Sequence, residues 1–148
     1  DERLYVIGPP GEIDASKPFP LKQLRDRPMI LPNAPHGLRS IIEHALAVAG
    51  ISVDVVAETN ALDLQKSLVN KGFGYSILPS SAILDELRDG TLSGAPVGTP
   101  DLSRRIVLAR AATRRASPVS VAAAPELVGL MKEMVLSGAW PGAAWIGR

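Results

Sequence analysis

Serine, histidine, arginine and glycine are the residue types through which this chain of 148 residues could do chemistry, and their spacing removes most of the options. There is no cysteine, so a thiolate nucleophile, a disulfide and a thiolate metal site are all excluded. His36 and His44 stand apart with no carboxylate cluster converging on them, which does not make a metal site. No G-x-S-x-G elbow occurs, and neither histidine has a carboxylate and a nucleophile beside it. Ser80 and Ser81 follow Leu78-Pro79 and read as a helix cap. No catalytic residue is expected, and the chain reads as non-enzymatic. Gly72-Phe73-Gly74 lacks the third glycine of a dinucleotide loop, and no Gly-Lys-Ser follows it. Its turn also precedes a strand instead of following one, so both glycines read as structural. The arginines over 104–115 read as a solvated set facing alternate ways, balanced by acids elsewhere. What survives is ligand binding by backbone N–H groups where a strand gives way to a helix.

The elements that would build such a rim centre on residues 62–87. Leu62, Leu64, Leu68 and Val69 suggest a helical apolar stripe, ended by Gly72. Tyr75-Ser76-Ile77-Leu78 is too short and β-rich for anything but an interior strand. Pro79 should end it, and a helix over 81–89 should follow, closed by Gly90. Upstream, Leu4 to Ile7 make a short strand with nothing before it to pair with, which suggests a fragment of a longer protein. Pro9, Pro10, Pro18 and Pro20 mark a loop or hinge. A helical turn after Pro20 and a short buried strand over 28–31 come next.

Leu38, Ile41, Ile42, Ala45, Leu46 and Ala49 fall at helical spacing and are closed by Gly50. Arg39, Ser40, Glu43 and Ala47 take the opposite face. A strand over 53–58 leads to Asn60, which with Asp63 resembles a capping box for the next helix. A further strand over 92–97, a hinge-like loop from Gly98, and a strand over 105–112 complete the middle of the chain. Pairing of 4–7 with 105–112 would give two antiparallel crossover strands. The last helix runs over 125–137, with Leu127, Leu130, Met131, Met134 and Val135 facing inward and 118–124 left open as an extra turn. The apolar tail after Ala139 should pack on a neighbouring surface or mark a partner's place. The β-α-β-α order argues for an α/β fold with a mainly parallel sheet.

Composition adds exclusions. The net charge of +1 gives no electrostatic case for nucleic acid or a membrane surface. No apolar run approaches the roughly 18 residues of a membrane span, and DERLYVIG is not a signal peptide. A cytoplasmic domain with 46% apolar and 21% charged residues is the default expectation.

The passage VNKGFGYSILPSSA resembles the effector-binding domain of LysR-type transcriptional regulators. Three further segments match in order: LYVIGPP, then Met29-Ile30-Leu31-Pro32 with PHGLR, then LSRRIVLAR; the WPGA tail also looks like family members. The resemblance implies a periplasmic-binding-protein-like (type 2) two-lobe fold, one lobe complete and the other partial. Residues 1–20 would be the end of the first lobe and a crossover, 21–98 the second lobe, and 99–148 the return strand and C-terminal helix of the first. The chain departs from the family pattern in lacking a winged helix-turn-helix, a linker helix and the opening of the first lobe.

By the same resemblance, the helix start after Pro32 faces an interlobe cleft. Asn33 could cap that helix, while Pro35, His36, Gly37 and Leu38 line the cleft and an anion sits on free N–H groups. Thr59 and Asn60 could donate to the same ligand. The plain alternatives are a capped helix with a polar start and, for Asn60, a cap alone. The implied function is sensing of a small anionic effector, which shifts the conformation of a homo-oligomer. DNA would be bound only through an absent N-terminal domain; no cofactor, metal or membrane is implied. Family dimers would place polar positions of 36–48 and 53–58 at an interface. The alternatives are a solute-binding protein of the same fold serving transport, and a regulatory domain of a biosynthetic enzyme.

Overall fold

The computed structural model describes residues 1–109 and 117–147. The strands are β1 (Glu2–Gly8), β2 (Pro28–Leu31), β3 (Asp54–Glu58), β4 (Ser76–Pro79), β5 (Ser93–Pro96) and β6 (Ser103–Arg104). The helices are α1 (Gly37–Val48), α2 (Leu62–Asn70), α3 (Leu84–Asp89) and α4 (Pro118–Leu136). Short 3-10 turns cover Leu21–Leu24 and Ser80–Ala82.

Apolar β1 is the strand around which the sheet is ordered. It lies between β4 and β5, antiparallel to both, with Val6 opposite Ile77 on one side and Ala95 on the other. β2 and β3 pair in parallel. A single parallel bridge between Met29 and Tyr75 joins that pair to β4, through Tyr75 N–H to Pro28 O and Ile30 N–H to Tyr75 O, each 2.8 Å. The strand order is thus β3-β2-β4-β1-β5, with β1 alone running against the rest. Every residue of β4 is buried, as are Leu4, Val6 and Ile7 of β1, so the middle of the sheet must be covered on both faces.

This placement corrects the expected pairing of 4–7 with 105–112. Only the first residues of β1 meet the returning chain, Glu2 opposite Arg104 and Arg3 opposite Ser103. Residues 105–109 are not a strand, and 110–112 lie outside the described residues. The reason is competition for edges: residues 5–7 already have both ladders filled, and Leu4 N–H reaches only Leu102 O, at 2.8 Å.

Helix α1 matches its sequence pattern, burying Leu38, Ile42, Ala45 and Leu46, and Gly50 takes a left-handed φ of 63° just beyond its end. Helix α2 does not. Val69 is buried with Gln65, one turn earlier, while Leu62 and Leu64 are 39% and 50% exposed. The apolar stripe is therefore rotated, and an amide stands inside. Gln65 Nε2 donates to Ile30 O at 3.1 Å and to Ser76 Oγ at 2.6 Å, and Ser76 Oγ donates to Ile30 O at 2.7 Å. Gln65→Ala should leave that carbonyl and hydroxyl short of a donor and cost about 1–3 kcal/mol in urea unfolding. A cost below a few tenths would mean that water replaces the amide freely.

Helix α4 is continuous from Pro118 instead of starting at Pro125. Ser117 caps it by accepting from Ser120 N–H at 3.1 Å. It has no buried residue, and Leu127 and Leu130 are about half exposed, which corrects the expectation of an inward face. The tail turns back on β1: Ala144 N–H donates to Asp1 O and Arg3 N–H to Gly142 O, both at 2.8 Å.

Candidate functional site

The C-terminal ends of β2, β3 and β4 open onto one cavity of about 380 Å³. Ends of parallel strands that lead into helices are where open α/β sheets take ligands, because backbone N–H groups and the starts of helices converge there. His36, Leu38, Thr59 and Asn60 line this cavity. Pro35 and Gly37 do not; both are exposed outside it, although a Cβ at Gly37 would meet open space. Asn33 does not line it either, but is tied to it through Asn60.

The local chemistry differs from the expected caps. His36, not Asn33, is the N-cap of α1, with Nδ1 accepting from Leu38 N–H at 3.2 Å. Asn33 is too far from the helix start to cap it and instead donates its N–H to Asn60 Oδ1 at 3.0 Å. That bond occupies the oxygen that a capping box needs, so the expected box with Asp63 does not form, and α2 begins after Ala61 with no side-chain cap. Ala61 N–H is held by Thr59 Oγ1 at 3.1 Å. The loops before α1 and α2 are thereby laced together over the cavity, leaving Asn60 Nδ2 without a partner among the described residues.

Sequence reasoning missed Gln65, Ser81 and Arg104, which line the same cavity beside an apolar wall of Pro32, Leu78 and Pro79. Gln65 was legible in principle, since it lies one helical turn before Val69. Ser81 and Arg104 were not, because what places them is Glu2. This carboxylate is 1% exposed. Oε1 accepts from Ser81 N–H at 2.9 Å, Ser80 Oγ at 3.2 Å and Trp140 Nε1 at 3.1 Å; Oε2 accepts from Arg104 Nε at 2.8 Å. Ser80 and Ser81 thus do not cap a helix as expected: they sit in a 3-10 turn folded over Glu2. Burial pushes the Glu2 carboxyl up, but hydrogen bonds from Ser81, Trp140 and Arg104 outweigh it and hold the group below the ordinary glutamate value. Arg104 is therefore not a solvated member of an arginine run. Arg105 does point elsewhere, forming a two-pronged pair with Asp1 at 2.8 and 3.0 Å.

A second cavity, of about 300 Å³, lies between residues 106–108, α4 and the tail. Its walls are mainly apolar, and none of the residues expected to bind ligand reaches it. The cleft at the strand ends, with its convergent polar groups, is the candidate site.

The model of the LysR substrate binding domain matches residues 1–135. The chain belongs to this family. LysR-family likeness extends to curated regulators. The chain is 31% identical over 106 residues to the uncharacterized HTH-type transcriptional regulator YeiE of Escherichia coli K12, covering 72% of this chain and 36% of YeiE. It thus spans about a third of that relative's length. The fold of a LysR effector-binding domain is seen in the match to QuiR in complex with shikimate: TM-score 0.76, 22% identity, 89% of this chain and 62% of that one. The regulatory domain of CcmR from Synechocystis PCC6803, in complex with 2-PG, matches with TM-score 0.72 and 17% identity over 90% and 64% of the two chains. A two-lobe α/β fold of the periplasmic-binding-protein type is consistent with these likenesses. Among the described residues no helix is long and apolar enough to cross a membrane.

Proposed function

We propose that this chain is the effector-sensing part of a LysR-type regulator and binds a small, anionic metabolite in the cleft at the strand ends. The observation that carries this reading is the convergence of His36, Thr59, Asn60 and Ser81 on one cavity at the start of α1. The family supports it, and two neighbours in fold hold small molecules, the effector-binding domain of QuiR shikimate and the regulatory domain of CcmR 2-PG. Asn33 acts through Asn60, while Pro35 and Gly37 shape the loop that carries His36. The chain itself does no catalysis. Regulation, not transport, is the reading the curated relatives favour.

In this proposal 21–98 forms one lobe together with β1, and residues from 99 onward lead into the other. A ligand bridging them favours one lobe arrangement and so biases a homo-oligomer that binds DNA through segments outside this chain, in the cytoplasm. The exposed side of α1 and β3, where Val48 is 71% and Val56 48% exposed, is available for a second copy.

A thermal-shift screen of this chain against small carboxylates, shikimate among them, and phosphorylated acids tests the reading. A ligand at a hundredfold over its Kd stabilises by about 2.7 kcal/mol, or ~5–10 °C for a domain of this size. The shift should shrink strongly in Asn60→Ala, which unlaces the two loops. A broad library without one saturable hit would count against effector binding.

A further inference from the structure

We propose that Arg104 receives the oxyanion of the effector, a carboxylate or a phosphate, inside the cleft. This rests on the reading of the cleft as the effector site and names the group that would give it charge selectivity.

Arg104 comes from β6, far in sequence from His36, Thr59 and Asn60, yet lines the same cavity. Its side chain is one-third exposed, at 33%, so the guanidinium is neither locked in the core nor loose on the surface. Among the described residues its one hydrogen bond uses Nε, donated to Glu2 Oε2 at 2.8 Å. The two terminal nitrogens keep four N–H donors in a planar fork, a geometry that matches two oxygens of a carboxylate or phosphate at once.

Glu2 offsets the charge of the guanidinium but takes only its Nε, which leaves the terminal donors for a ligand. Its other oxygen is occupied by Ser80, Ser81 and Trp140, so the carboxylate cannot swing to take the rest of the fork. No carboxylate lines the cavity among the described residues, and Arg104 is the one lysine or arginine that does. An anion entering the cleft shares it with Arg104, Asn60 and His36, which all line its wall. An anionic ligand accepts from these donors in charge-assisted bonds, roughly twice as strong as those a neutral acceptor of equal size makes.

The test uses the ¹⁵N-labelled chain, following the Arg104 Nε–Hε signal during titration with inorganic phosphate and, separately, sodium acetate. Sodium chloride at matched ionic strength is the control. We expect a saturable shift of Arg104 together with the backbone signals of Thr59, Asn60 and Ser81, and the stronger response names phosphate or carboxylate as the preferred group. Arg104→Met should weaken the response about tenfold or more, and Arg104→Lys, which keeps the charge without the fork, by a smaller factor. The lysine variant and the wild-type titration stand even where the methionine variant fails to fold. Movement of Thr59 and Asn60 with Arg104 still, and full affinity in Arg104→Lys and Arg104→Met, would overturn the inference while leaving effector binding intact. Saturable binding of neither anion anywhere in the cleft would overturn the inference and remove the anionic part of the wider proposal; a neutral hit in the thermal-shift screen would then keep effector sensing alone.

Discussion

Gly74→Val should destabilise the protein by about 3 kcal/mol or more, seen as a lower midpoint in guanidinium unfolding at unchanged slope. A Cβ at Gly74 would stand 2.6 Å from Pro28 O and 3.0 Å from its carbonyl carbon. Neither atom can retreat cheaply, since Pro28 O accepts from Tyr75 N–H at 2.8 Å. Among the described residues, that contact belongs to the one bridge joining β2 and β3 to the rest of the sheet, while the cleft lies at the opposite, C-terminal ends of β2 and β4. Gly72→Ala is the comparison. Gly72 has φ 79° but open space around it, so an alanine there should cost only about 1 kcal/mol of backbone strain. Equal costs at the two positions would mean that β2 and β4 can part without penalty.

Glu2→Ala comes next, with an expected loss of about 2–4 kcal/mol. Removing one partner of a buried pair usually costs about 3–5 kcal/mol, and the exposed third of Arg104 reduces that. Three further donors, from Ser80, Ser81 and Trp140, lose their acceptor in the same step. The effect should depend on pH with a definite sign. The Glu2 carboxyl titrates below its ordinary value when folded, because the hydrogen bonds outweigh burial. Its stabilisation is therefore complete above the unfolded pKa of about 4.3 and is lost as pH falls through the lower folded value. Wild type should lose stability more steeply than Glu2→Gln below about pH 4, and the two curves should run parallel at neutral pH. Parallel curves throughout the acid range would falsify the role given to this carboxylate.

Local patterns were legible wherever one short segment contains its own reasons. The spacing of Leu38, Ile42, Ala45 and Leu46 specifies α1, and Gly50 and Gly90 stop their helices with left-handed backbones. The interior strand ending at Pro79 was also readable, as was PHGLR, which brought His36 and Leu38 to the cleft. Gly74 was rightly read as structural, but for another reason: its φ is not left-handed, and what demands a glycine is the carbonyl of Pro28, 46 residues earlier.

Periodicity also shows that a segment needs a covering without showing what covers it. Helix α4 has the apolar content of an inward helix, yet none of its residues is buried by the described part of the chain. In α2 the leucines suggested one stripe, and Gln65 took the buried place because Ile30 O and Ser76 Oγ wait there for a donor.

By itself, then, the sequence determined the α/β class, most of the helices and strands and the family likeness, since each rests on neighbours within a turn or a strand. Only the tertiary structure decided that β1 runs between β4 and β5, that Asn33 and Asn60 lace two loops, and that Glu2 brings Arg104 to the cleft. Those contacts join residues from 27 to 102 positions apart. Such pairings depend on which edges and donors remain unfilled after the local elements have formed, and no local pattern encodes that.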